Sequence, residues 1–193
     1  MLNLTQLLRV PHVDSGLRYD ISPDEKQIVF AWNKTDTWEL WTMSLRGRQP
    51  EAMTSHVAGA KFSPRFSPDG TRLAYALDPD GSESYHIYIH NFQTSISTDL
   101  TPDIAYAHQP NVSWSPDGKM LAVLSDRHGQ FALHLLPTDG TPGRLLKNVF
   151  HPCWDVTWSP DGQWIALDAE STASDRSIYV VPINRPRKAT KIH

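Results

Sequence analysis

Along this chain the apolar residues fall into short runs, and polar clusters rich in Ser, Pro, Asp and Gly separate them. No stretch sustains the three-to-four-residue spacing of a helix. Leu4, Leu7 and Leu8 have the spacing of a single turn, which Pro11 ends, so residues 1–16 read as a lead-in. From residue 17 onward the same pattern is written four times. Each copy opens with a short segment, Tyr19-Asp20-Ile21, Pro64-Arg65-Phe66, Val112-Ser113-Trp114 or Val156-Thr157-Trp158. Residues two apart share a strand face, which places Ile21, Phe66, Trp114 and Trp158 in one buried column. A second run follows, in which Ile28, Leu73, Leu121 and Ile165 align, then Val29, Ala74, Ala122 and Ala166, then Phe30, Tyr75, Val123 and Leu167. Consecutive apolar residues predict a strand covered on both faces. The third run aligns Leu40, Ile87, Leu133 and Ile178, with Trp41, Tyr88, His134 and Tyr179 beside them, and its aromatic and β-branched content is that of a strand. The fourth is short and outer, at Met53-Thr54, Leu100-Thr101, Leu146-Lys147 and Ile192-His193.

Between the first and second runs of each copy lies a common turn: Ser22-Pro23-Asp24-Glu25, Ser67-Pro68-Asp69-Gly70, Ser115-Pro116-Asp117-Gly118 and Ser159-Pro160-Asp161-Gly162. Proline presets φ, Asp bonds back to nearby backbone, and Gly accepts positive φ. Glu25 stands where the other copies have Gly, which predicts a strained or different first turn. The serines are 45, 48 and 44 residues apart, about the length of one four-stranded propeller blade. The predicted fold is therefore all-β, a β-propeller of four-stranded antiparallel blades. Four blades are encoded, at about 17–60, 61–105, 106–150 and 151–193, either as a partial propeller or as a ring that closes with four.

Candidate chemistry is sparse. The polar column Asn33, Asp78, Asp126 and Glu170 reads as hairpin capping, with an acidic rim for a cation as the alternative. Asp78-Pro79-Asp80-Gly81-Ser82-Glu83 lacks the ligand spacing of a calcium loop and reads as a hairpin tip. Nine histidines are present. His86 and His90 share a strand face but would stand about 13 Å apart, too far for one metal. Cys153 lies two residues from His151, yet a nucleophile also needs an oriented base and an oxyanion site, so it reads as a buried structural thiol. Asp20 and Asp155 are read as matching blade positions, with Arg65 and Asn111 in the other blades, lining a channel. Arg185-Pro186-Arg187-Lys188 reads as a solvated basic loop between strands. No catalytic, cofactor-binding or metal-ligating residue is assigned.

Composition narrows the field further. The net charge of −3, with both signs interspersed, gives no basic face for nucleic acid. No apolar run approaches the roughly 20 residues of a membrane span. The first ten residues lack the basic start and continuous apolar stretch of an export signal, and the single cysteine excludes an internal disulfide. A cytoplasmic location is expected.

The stretches RFSPDGTRLAYALD…YHIYIHNF and VSWSPDGKMLAVLSDRHGQFALHLLPTDGTPGRLL resemble the propeller repeats of TolB and of the prolyl oligopeptidase family of serine peptidases, over residues 17–193. The opening LLRVPHVDSGLRYDISPDEKQIVFAWNKTDTWELWTMSL is similar to the start of cytoplasmic oligopeptidases, including acylaminoacyl-peptidase-like members. The resemblance implies a propeller that covers the active site of an α/β-hydrolase domain and admits only short, unstructured peptides. In that family the nucleophile sits in a Gly-x-Ser-x-Gly elbow. None of the ten glycines here has Ser two residues later, so no catalytic residue is carried over and this chain alone is expected to be no enzyme. The implied partners are that hydrolase domain and its peptide substrates. Exposed blade faces add self-association, with two copies completing an eight-bladed ring. A stand-alone TolB-like interaction scaffold is the alternative.

Overall fold

The computed structural model describes residues 13, 16, 19–47, 49–55, 57–103, 105–129, 131–149, 151–172 and 175–192. Four four-stranded antiparallel sheets form a β-propeller, and within each sheet the strands lie side by side in chain order. The first blade holds β1 (Tyr19–Ile21), β2 (Gln27–Trp32), β3 (Glu39–Ser44) and β4 (Glu51–Ala52). The second holds β5 (Ala60–Phe66), β6 (Arg72–Asp78), β7 (His86–Asn91) and β8 (Ile96–Asp99). The third holds β9 (Ser113–Trp114), β10 (Met120–Ser125), β11 (Ala132–Pro137) and β12 (Arg144–Asn148). The fourth holds β13 (Val156–Trp158), β14 (Trp164–Thr172), β15 (Asp175–Pro182) and β16 (Thr190–Ile192). The lead-in lies outside the described residues except for Gly16 and Val13, and Val13 bridges Trp32 of the first blade. The basic loop between β15 and β16 contains a single 3₁₀ turn, Pro186–Lys188. Among the described residues no helix is long and apolar enough to cross a membrane.

The Ser-Pro-Asp-Gly turn builds the joint between the first two strands of every blade. The serine hydroxyl donates to the aspartate two residues on, at 2.7, 2.5, 2.6 and 2.6 Å from first blade to fourth. The same serine oxygen accepts the backbone N–H that opens the next strand, from Gln27, Arg72, Met120 and Trp164, at 2.9–3.0 Å. These hydroxyls hold the carboxyls of Asp24, Asp69, Asp117 and Asp161 below the usual range, Asp24 down to about 2. Glu25 keeps the same turn, donating its N–H to Ser22 O at 2.8 Å, but does so at φ 56°, where a side chain is strained. The turns also stack from blade to blade. A Cβ on Gly70 would lie 3.5 Å from Pro23, one on Gly118 3.8 Å from Pro68, and one on Gly162 3.7 Å from Pro116.

Three apolar cores join consecutive blades. Leu40, Phe66 and Leu73 pack between the first and second, Ile87, Trp114 and Leu121 between the second and third, and Leu133, Val156 and Ile165 between the third and fourth. The columns expected from the sequence are thus the packing units between blades, with one correction. Ile21, expected in the buried column, is exposed because no blade precedes it among the described residues, and Trp158 is only partly buried. Phe66 and Trp114 face the preceding blade, while Leu40, Ile87 and Leu133 face the following one. Polar ties run alongside. Asp20 Oδ2 accepts the Phe66 N–H at 2.8 Å, and Ser113 Oγ accepts the Trp158 N–H at 2.9 Å. Arg72 reaches from the second blade to Gly118 O at 2.7 Å and Thr138 Oγ1 at 2.9 Å in the third. Between the first two blades Lys61 is fully buried, and its Nζ stands 2.8 Å from Glu39 Oε1. Thr54 completes that site by donating to Glu39 Oε2 at 3.0 Å.

Candidate functional site

The site is assembled where the connector from the second blade meets the third. Register places His134 on β11 opposite Val123 on β10, on the face turned toward the second blade. The connector is stitched down by backbone bridges from His108 to Tyr85 and to Ser125. Asp126 fixes it further, its Oδ1 accepting the Ala107 N–H at 2.8 Å, while Gln109 N–H donates to Leu124 O at 2.9 Å. Together these elements enclose a cleft of about 260 Å³ lined by His108, His134, Ser125, Tyr106, Leu100 and Leu136, among others. Arg127 stands at the same cleft, 2.7 Å from Asp103 Oδ2, with its guanidinium 4.6 Å from the centre of the Tyr106 ring.

The two histidines are the unusual groups. Nδ1 of His108 and Nε2 of His134 are two of the five buried side-chain nitrogen or oxygen atoms that lack a hydrogen-bond partner among the described residues. Burial pushes the His108 imidazole down to about 4 against a weaker opposing bond to Tyr85 O, with His86 nearby adding to the drop. Burial also pushes His134 down to about 4, and His128, whose ring centre is 5.2 Å away, adds to it. Both rings are therefore neutral at pH 7 and offer lone pairs or N–H groups, not charge.

The residues singled out from sequence have other partners. His86 Nδ1 is 3.0 Å from Asp99 Oδ2 and His90 Nδ1 is 3.0 Å from Ser97 Oγ. His12, His56 and His193 lie outside the described residues. Among the described residues no group of three His, Cys, Asp or Glu side chains is set to hold a metal. Cys153 is fully buried, its thiol donates to His151 O at 3.2 Å, and burial, followed by the Asp168 charge, pushes it up to about 12. Asp78 caps its hairpin through Gly81 N–H at 2.8 Å and Glu83 N–H at 3.1 Å. One alignment is corrected. Asp20 pairs with Val29, and the residues at its position are Arg65, Ser113 and Thr157, opposite Ala74, Ala122 and Ala166. Asp155 sits one residue before that register begins, so the two aspartates occupy different columns. His108, Tyr106 and Arg127 carried no signal of their own; the only pointer was the polar column, whose Asp126 positions the His108 segment.

A larger concavity of about 580 Å³ lies over the stacked turns of the first two blades. Its Ser22, Asp24 and Asp69 are already bonded within those turns.

Comparison with known proteins places these features in context. The model of the TolB beta propeller domain matches residues 20–187. Over 109 residues, 54% of the chain, the sequence is 37% identical to the uncharacterized peptidase YuxL of Bacillus subtilis and covers 16% of it. Over 153 residues, 78% of the chain, it is 25% identical to the Tol-Pal system protein TolB of Francisella tularensis and covers 34% of it. Among solved structures, a puromycin-hydrolyzing peptidase of Mycobacterium tuberculosis superposes with a TM-score of 0.72 at 17% identity, over 91% of this chain and 31% of that one. The chain thus spans about a third or less of each of these relatives.

Proposed function

The chain belongs to the TolB β-propeller domain family, and from that premise we propose that it serves as the non-catalytic propeller segment of a prolyl-oligopeptidase-like serine peptidase. In this role it limits which peptides reach an α/β-hydrolase domain. The carrying observation is the 37% identity with the peptidase YuxL. Packed blades with apolar cores between them form a wall of fixed dimensions, and exclusion by such a wall is steric: short, extended peptides pass and folded chains do not. The buried thiol of Cys153, with its raised pKa, supports a segment without its own nucleophile. We place the protein in the cytoplasm, in keeping with its single cysteine. The exposed outer faces of the first and fourth blades support self-association as a further property.

The test isolates the native polypeptide with an antibody raised against residues 19–192 and exposes it to a serine-directed fluorophosphonate. Labelling of that polypeptide, or of a co-isolating α/β-hydrolase, is expected. A TolB-like interaction scaffold, favoured by the match to the Francisella protein, is the second reading. No labelling, together with a stable partner that is not a hydrolase, would establish that reading instead.

A further inference from the structure

The cleft between the second and third blades has features that blade packing does not require. Two buried imidazoles line it, each more than nine-tenths buried and each with a ring nitrogen lacking a partner. A buried polar atom left unpaired has given up its hydration with nothing in return, so two at one cavity call for an occupant. The charges around the cavity are already matched. Arg127 is paired with Asp103, and His86 with Asp99. An ionic ligand would find no free counter-charge among them. His128 stands beside His134, but among the described residues no three such side chains converge in a geometry that would hold a metal, so a metal ion is not the natural occupant either.

We propose that this cleft binds a small uncharged polyhydroxyl ligand, about the size of one sugar ring. A hydroxyl both donates and accepts, so it serves His134 Nε2 in either tautomer and donates to His108 Nδ1, which is left as an acceptor when the other ring nitrogen gives its proton to Tyr85 O. A carboxamide presents a fixed donor and a fixed acceptor and lacks that freedom. Leu100, Leu136 and Pro142 offer apolar surface for the C–H faces of such a ring, and Ser125 adds a further hydroxyl. The volume of about 260 Å³ lies just below the range of drug-sized pockets, which suits a single ring and not a chain of them. The site is independent of whether the propeller serves a peptidase or a scaffold.

The experiment titrates the isotopically labelled full chain at pH 7.5 with D-glucose, D-galactose and N-acetyl-D-glucosamine singly, following the imidazole Cε1–H resonances. D-glucosamine and D-galacturonate are the charged counter-probes. At least one neutral sugar is expected to give saturable shifts at His108 and His134, with an apparent Kd on the order of 1 mM and no change at His90. His108→Phe or His134→Phe should weaken that binding about tenfold or more. If neither variant folds, the wild-type titration decides alone, through saturation confined to His108, His134 and Tyr106. Three outcomes overturn the proposal: no saturable shift with any neutral sugar up to about 50 mM, tighter binding of a charged sugar, or cross-relaxation showing an ordered water that no probe displaces.

Discussion

His108 and His134 make the stability of the fold sensitive to mild acid. Both imidazoles are driven down to about 4 from an ordinary 6.5, by burial first and by cationic or imidazole neighbours second. His86, Asp126 and Arg127 surround the former, and His128, His108 and Arg127 the latter. A folded-state value below the unfolded one means that the unfolded chain takes up the proton first. Stability is therefore full above pH 6.5, falls as pH drops from 6.5 toward 4, and levels off below that for these two groups. At 1.36 kcal/mol per pH unit, each histidine withdraws on the order of 2–3 kcal/mol by pH 4.5. Urea unfolding between pH 7 and 4.5 should show this decline, and His134→Phe should remove about half of it. A flat profile across that interval would show that the rings are hydrated in the folded state.

The strands themselves are held in register by buried polar devices as well as by apolar columns. Lys61 on β5 and Glu39 on β3 meet at 2.8 Å with almost no exposure, and Thr54 occupies the second carboxylate oxygen. Breaking such a pair from one side leaves a buried charge without compensation, which costs roughly 3–5 kcal/mol, whereas removing both charges together costs far less. Lys61→Met is expected to destabilise by that amount, and Lys61→Met combined with Glu39→Gln to recover most of it, measured as urea midpoints in a double-mutant cycle. Equal losses in the single and double variants would mean that the pair acts only through volume. This pair also marks the boundary of what the sequence reveals. The turns and columns were legible because each is written four times, and repetition separates architecture from accident. Lys61 was not, since a lone lysine reads as solvated and its partner lies 22 residues away on another strand. The His108–His134 cleft was hidden for the same reason, because only the register of β11 and the bridges of the connector bring its walls together. Asp20 and Asp155 show how narrow the margin is: a slip of two residues keeps the side-chain face but moves Asp155 off the end of a three-residue strand, so the two carboxylates meet different neighbours.

The four described blades form a stack with two unlike faces at its ends. One column makes this plain: Leu40, Ile87 and Leu133 are each 0% exposed against the following blade, whereas Ile178 at the same position of the fourth blade is 51% exposed. Ile192 and Trp164 are exposed on that blade as well, and at the opposite end Tyr19 and Ile21 stand exposed on the first blade. Inside the stack, surfaces of these two kinds bury each other at every junction, as Leu40 and Phe66 do in the first core. The exposed pair is therefore complementary by the molecule's own packing rule, leading face to trailing face. Patches of this kind drive association in water, and because the contact is head-to-tail it either closes into a ring or propagates. Sedimentation of the chain at increasing concentration should show growth of a dimer or larger species. Ile178→Lys should suppress that growth while changing stability by no more than about 0.5 kcal/mol, as substitution of an exposed side chain does. Leu133→Lys, in the same column but inside the stack, should instead disrupt folding. A chain that sediments as a monomer throughout, or an Ile178→Lys variant that associates as the wild type does, would show that the two faces do not recognise each other.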